Sequence, residues 1–304
     1  MVNYSAVMIM KTKIKGILSL LLATVIWGGA FVAQSAGVEL IGPFTFQAIR
    51  CALAVLALIV FIAIWEIRDL KGCLAKWLDP KLWKTGLICG LALFVASGLQ
   101  QIGLVYTDAG KAGFLTAMYI VIVPLFGLFF RQKPNFMTWV CIAIAVAGMY
   151  LLCCAGVTQI NIGDILLCGC AVAFAAQITL VDRYAGNMDS LRLNCIQALV
   201  VSVLSAVFMV FTEKLDGNLI LSCWLPLAYA GVLSMGAGYS LQIIGQKYVE
   251  STTASLLMSL ESVFAVVFAS LLLHETMTTA EAIGCCLVFV AVILSQVPVG
   301  KKAN

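Results

Sequence analysis

An all-α membrane protein, with ten transmembrane helices arranged as two inverted five-helix repeats, is the fold class that three observations predict. The first is composition. The 304 residues are 63% hydrophobic and 11% charged, where a soluble domain carries roughly a quarter charged residues. The second is the recurrence along the whole chain of apolar runs long enough to cross a bilayer. The third is an internal repeat: LQQIGLVY at 99–106 and LQIIGQKY at 241–248 share Leu, Gln, Ile, Gly and Tyr in register.

The spans read as 16–36, 43–65, 83–106, 109–130, 136–155, 162–182, 190–212, 223–247, 251–273 and 279–298. Lipid admits only helices or closed barrels, and no period-2 alternation is present, so all are expected to be helical. Lys11, Lys13 and Lys15 precede the first run as in a signal peptide, but the run reaches Ala36 without a convincing small-residue cleavage site. It reads as an uncleaved span. The longest connection, Glu66–Leu82, is rich in Lys, Asp and Trp. With the N-terminus inside, every Lys and Arg except Arg50, Lys111 and Lys214 falls on the cytoplasmic side, the bias expected of short loops. Both termini are therefore expected in the cytoplasm, in a plasma or inner membrane. Basic residues scattered through such loops give orientation and argue against nucleic-acid binding.

The repeat extends beyond its clearest segment. Asp108, Ala112 and Leu115 match Glu250, Ala254 and Leu257, and a second offset sets Gly16 opposite Gly163 and Trp27 opposite Phe174. The expected organisation is a tail at 1–15, repeats at 16–155 and 156–298, and a tail at 299–304. Five spans per copy is an odd number, so the second copy enters from the opposite face. In many secondary transporters built this way the substrate site lies near the midplane between copies.

Trp27-Gly28-Gly29 in span 1, Pro43 and Arg50 in span 2, and Leu260-Glu261 followed by Leu273-His274-Glu275 resemble the EamA-type transporters of the drug/metabolite transporter superfamily. The resemblance runs from about Gly16 to Gln296. It departs where His274-Glu275 stands in place of the family's Gly-Glu, and where Ser262 rather than Pro follows Glu261. It implies a basket in which spans 1, 3, 4, 6, 8 and 9 surround a central cavity and spans 5 and 10 are peripheral. It also implies cargo among amino acids, nucleotide sugars, other small metabolites and drugs, commonly exported.

Glu261 is the leading site candidate, because a carboxylate near the middle of a span costs at least ~2.5–3.5 kcal/mol and usually has a partner, a cavity or a task. It could bind a substrate ammonium, carry a proton or serve a structural hydrogen bond; its counterpart in the first copy is Tyr119. Ser255, Ser259 and Ser262 recur nearby at helical spacing, and either line the same space or bond back to helix carbonyls. Gln100, Gln101 and Gln242 lie in the repeated segment and Gln177 stands alone in span 6; amides in lipid seek partners, so these face the bundle interior. Trp27 lies too deep for an interfacial belt, and Tyr239 is one turn from Gln242. Glu261, Tyr119, Trp27, Gln101, Gln177, Tyr239, Gln242 and Ser259 are the candidate substrate-binding or coupling set. Arg50 is expected to be structural or gating, paired with an outer carboxylate such as Glu39 or Glu275. Gly86 and Gly90 form GxxxG, a close-packing signal.

The twelve cysteines lie mostly in apolar runs without metal spacing, and read as free thiols. The lone histidine, His274, reads as a solvated loop residue. No cofactor or metal is expected. The expected partners are a small-molecule substrate and the bilayer, with a second copy of the chain as a candidate. These readings converge on a secondary-active exporter of amino acids or similar metabolites working by alternating access. The alternatives are a multidrug or nucleotide-sugar-type transporter and, more distantly, a channel or a membrane-embedded enzyme. The enzyme lacks a nucleophile–base set and the channel lacks rings of like residues.

Overall fold

A computed structural model describes residues 4–107, 109–130, 134–153, 160–273 and 277–296. Asp108, Arg131, Lys133, His274, Glu275, Lys301 and Lys302, and the side chain of Lys71, lie outside the described residues. Nine of the described helices are long and apolar enough to span a membrane, and Phe136–Leu152 is a shorter apolar helix between the fourth and fifth of them. These ten segments correspond one to one with the expected spans and keep those numbers here. The first helix begins at Tyr4, well ahead of the expected start. The connection after span 2 is not a plain loop but carries the helix Leu70–Trp77, capped by the Asp69 side chain.

Contacts run mainly between the two halves. Span 1 packs on spans 8 and 9, span 6 on spans 3 and 4, span 2 on span 7, and span 5 on span 10. Exchanging each span of one half for its equivalent in the other maps this pattern onto itself, the behaviour expected of a pseudo-twofold pair of repeats. Small residues sit at matching close approaches. A Cβ on Gly16 would lie 3.0 Å from the Gly245 carbonyl, and one on Gly163 would lie 2.9 Å from that of Gly103. Gly86 and Gly90 press on Ile196 and Val200 of span 7, so the GxxxG pair does mark a packed face.

Polar ties hold spans 2 and 7 together at both ends. Glu213, just past span 7, accepts bonds from the backbone N–H groups of Phe44 and Thr45 at 2.8 and 2.7 Å, capping span 2 from across the fold. At the opposite end Arg192 pairs with Glu66 and Asp189, both at 2.7 Å.

Three of the expected spans are interrupted. Span 4 breaks at Met118, between Ala109–Ala117 and Tyr119–Phe129, and span 9 breaks at Ser259, between Ser251–Met258 and Leu260–Leu273. At each break the ladder tightens by one residue: Val121 N–H donates to the Met118 carbonyl and Ser262 N–H to that of Ser259. In span 8, Tyr229–Gly238 is wound as a π-helix. There the Asn194 amide donates to the Met235 and Gly236 carbonyls and to Ser240 Oγ. Such widened turns cluster at functional sites.

Candidate functional site: a cavity between the repeats

The breaks and the π-helix border a cavity between the repeats. Its wall comes from spans 1, 3, 4, 6, 8 and 9, with Arg50 contributed by span 2, and nothing from spans 5 and 10.

Span 1 presents one stripe, Trp27, Ala30, Phe31 and Gln34, at i, i+3, i+4 and i+7. Gly28, on the same helix, lets its backbone settle against Phe264 of span 9; a Cβ there would come within 2.4 Å. The two broken spans supply the facing pair. Tyr119 opens the second half of span 4, and Glu261 lies in the first turn of the second half of span 9. Tyr119 Oη donates to Glu261 Oε1 at 2.9 Å, and both side chains are buried, Glu261 with 5% of its surface exposed. The π-helix and the helix after it bring Ser234, Tyr239 and Gln242 to the wall. Tyr239 packs on Trp27 with ring centroids 5.0 Å apart.

Two fully buried polar atoms of the wall residues have no partner among the described residues: the indole N–H of Trp27 and the Oε1 of Gln242. One is a donor and the other an acceptor. Behind Gln242 runs an amide ladder. Its Nε2 donates to Gln177 Oε1 at 3.1 Å and to Gln246 Oε1 at 3.0 Å, and Gln177 Nε2 donates on to Gln197 Oε1 at 3.2 Å.

Of the expected candidates, Glu261, Tyr119, Trp27, Tyr239 and Gln242 therefore share one cavity, together with Arg50. Three others do not reach it. Gln177 stands one residue behind the wall, holding Gln242. Gln101 is buried away from the cavity with no hydrogen bond to the protein. Ser259 donates to the Leu256 carbonyl at 2.8 Å, and Ser255 and Ser262 bond back likewise. These serines shape the span 9 break and do not line the cavity, because a hydroxyl on a helix finds the preceding turn's carbonyl first.

The expected pairing of Arg50 with Glu39 is corrected. Its guanidinium donates to Gln34 Oε1 at 2.6 Å and to Gln47 Oε1 at 2.9 Å, not to Glu39, which is exposed; Glu275 lies outside the described residues. Gln34 and Gln47 were missed as its partners. Gln34 was readable, since it extends the Trp27 stripe by two turns. Thr116 and Ser234 also escaped notice, and no local signal separates them from ordinary helix hydroxyls. The described cysteines are free thiols, with Cys168 and Cys286 exposed.

Comparison with known proteins agrees with this architecture. A solved crystal structure matches with a TM-score of 0.78 at 18% identity, covering 92% of this chain and 96% of its own. An uncharacterized transporter of Archaeoglobus fulgidus is 31% identical over 280 residues, covering 91% of this chain and 84% of its own. YoaV of Bacillus subtilis, described in the same words, is 23% identical over 91% of this chain and 96% of its own. The inner membrane transporter YedA of Escherichia coli K12 is 26% identical over 91% and 88%. The model of the EamA-like transporter family matches twice, over residues 14–154 and 161–296. This chain belongs to the EamA-like transporter family.

Proposed function

We propose that the protein is a secondary-active exporter of amino acids or similar small metabolites, working by alternating access around the cavity between its repeats. The observation that carries this reading is the Tyr119–Glu261 pair at the two helix breaks, a buried acid on the wall of the cavity between the repeats. Discontinuous helices at a repeat interface are where transporters of this build hold their cargo. Glu261 would bind a cargo ammonium, or exchange a proton with it, while Tyr119 orients the carboxylate. Trp27 and Tyr239 supply an apolar face, and Trp27 Nε1 and Gln242 Oε1 supply the hydrogen bonds. No nucleotide-binding Gly-Lys-Ser/Thr sequence is present, so the proposed transport would draw its energy from a gradient.

Purified protein in liposomes is expected to move at least one member of an amino-acid and metabolite panel, with Glu261→Gln abolishing or uncoupling the flux. Full flux in Glu261→Gln refutes the assignment. Orientation in a plasma or inner membrane with both termini cytoplasmic rests on the basic residues. Cysteine labelling at Lys133 should report the cytoplasm and at Asp216 the exterior; the reverse pattern overturns it.

A further inference from the structure

Arg50 is the feature of the cavity wall that the Glu261 reading leaves without a task. Its side chain is deeply buried, with 3% exposed, and faces the cavity. Neutral groups hold it. Nη1 donates to Gln34 Oε1 at 2.6 Å, while Nε and Nη2 share Gln47 Oε1 at 2.9 and 2.5 Å. Each amide is fixed in turn with its oxygen towards the arginine. Gln34 Nε2 donates to the Ala30 carbonyl at 3.1 Å, and Gln47 Nε2 donates to Ser97 Oγ, which donates to the Leu93 carbonyl.

Among the described residues no carboxylate lies within ion-pair distance of Arg50; the ion pairs there join Lys76 and Arg192 to Glu66, Arg192 to Asp189, and Lys111 to Asp164. A buried cation without a counter-charge is costly. An arginine kept only to brace helices would be better served by an acid at position 34 or 47. Amides fix the plane of the guanidinium without neutralising it, and among the described residues each terminal nitrogen spends one N–H on an amide oxygen, with the Cys51 thiol beside the group. A charged planar fork with its plane already fixed is the arrangement that recognises a carboxylate.

We propose that Arg50 is a carboxylate receptor: the cargo carries a free carboxylate that pairs with the cavity-facing guanidinium. The proposal rests on the transport reading only for the word cargo. The wall holds one cation and one acid, Arg50 and Glu261. That balance suits a molecule bearing one acid and one base, whereas a doubly charged phosphate would call for further cations.

The test uses full-length protein in detergent and matched ligands: an amino acid, its carboxamide, its decarboxylated amine and its phosphonate analogue, for several side chains. Thermal unfolding reads affinity without needing flux. The wild type should bind the acid about 10–100-fold more tightly than the carboxamide, the range of a charge-assisted pair. Arg50→Gln should bring the two within about twofold, and Arg50→Lys should weaken acid binding while leaving carboxamide binding unchanged. The proposal is overturned by a wild type that binds no acid in the panel or prefers the phosphonate. It is equally overturned by an Arg50→Gln protein that keeps the preference. Should Arg50→Gln not fold, unchanged acid affinity in Arg50→Lys overturns it. Carboxylate-selective binding without flux in liposomes sinks the transport reading alone and leaves Arg50 as the receptor.

Discussion

Replacing Arg192 with Gln severs the tie between the end of span 2 and the start of span 7. Arg192 is 1% exposed, and its carboxylate partners Glu66 and Asp189 are 18% and 34% exposed. Its guanidinium also donates to the Cys73 carbonyl at 3.2 Å and lies 5.4 Å from the Trp77 ring centroid. The cost should fall between the ~0–1 kcal/mol of a surface pair and the ~3–5 kcal/mol of a broken buried one, at about 2–3 kcal/mol. For a chain of this size each kcal/mol moves the melting midpoint by about 2–4 °C, so a drop of roughly 4–12 °C is expected in detergent. Acid should change the result in a definite direction. Hydrogen bonds from Arg192 and Lys76 hold the Glu66 carboxyl at about 2, down from 4.5. A lowered folded value contributes stability that is complete above 4.5 and lost as pH falls towards 2. The gap between wild type and Arg192→Gln should therefore be constant from pH 7 to 5 and shrink below 4.5. In a double-mutant cycle with Glu66→Gln the two losses should not add. Equal melting of Arg192→Gln and wild type at pH 7, or fully additive losses, refutes the reasoning.

Two further perturbations test the frame. Glu213→Ala removes the cap on span 2, including the 2.6 Å bond from Thr45 Oγ1; it should cost about 1–2 kcal/mol in thermal unfolding, and an unchanged midpoint contradicts the capping role. Gly284→Ala places a Cβ 2.5 Å from the Gly148 carbonyl and 2.8 Å from the Leu152 nitrogen, backbone that must move. A loss of ~1–3 kcal/mol is expected, with ligand affinity unchanged because spans 5 and 10 supply none of the cavity wall. A shifted affinity would show that these spans do reach the site.

Span positions were legible because hydropathy is a local property: eighteen-odd apolar residues declare a membrane helix whatever their neighbours. The repeat was legible because Leu99-Gln100-x-Ile102-Gly103 recurs almost unchanged. What escaped depends on residues far apart in sequence. The π-helix of span 8 is held by Asn194 of span 7, and nothing in Tyr229–Gly238 names that partner. Arg50 is expected beside an outer carboxylate because charges in spans usually pair; among the described residues its partners are amides, one of them sixteen residues upstream. The serines of span 9 were legible as a group, but helical spacing alone could not separate a hydroxyl facing a cavity from one bonded to its own helix.

The frame is symmetric and the cavity is not, and the contrast bears on mechanism. Spans 2 and 7 have the same length and begin at equivalent positions, Pro43 and Ser190. In that register Gln47 meets Asn194 and Arg50 meets Gln197. The charged cluster of Arg50 with Gln34 and Gln47 thus has as its counterpart a neutral one, where Gln197 accepts from Gln177. Gln100 and Gln242, equivalent in the repeat, both reach the wall. Glu261 faces Tyr119 and not a second acid. In the proposed alternating access, a frame whose contacts exchange between halves would open to either face at similar cost, because each opened state breaks one set of equivalent contacts and keeps the other. A molecule lying in the cavity needs the opposite property. The cargo proposed above has unlike ends, and a wall with one cation, one acid and amides between them would hold it in a single orientation. Mutation of the glycine pairs should therefore affect stability and the balance of states, while exchange of Arg50, Glu261 or Gln242 should affect which molecules bind.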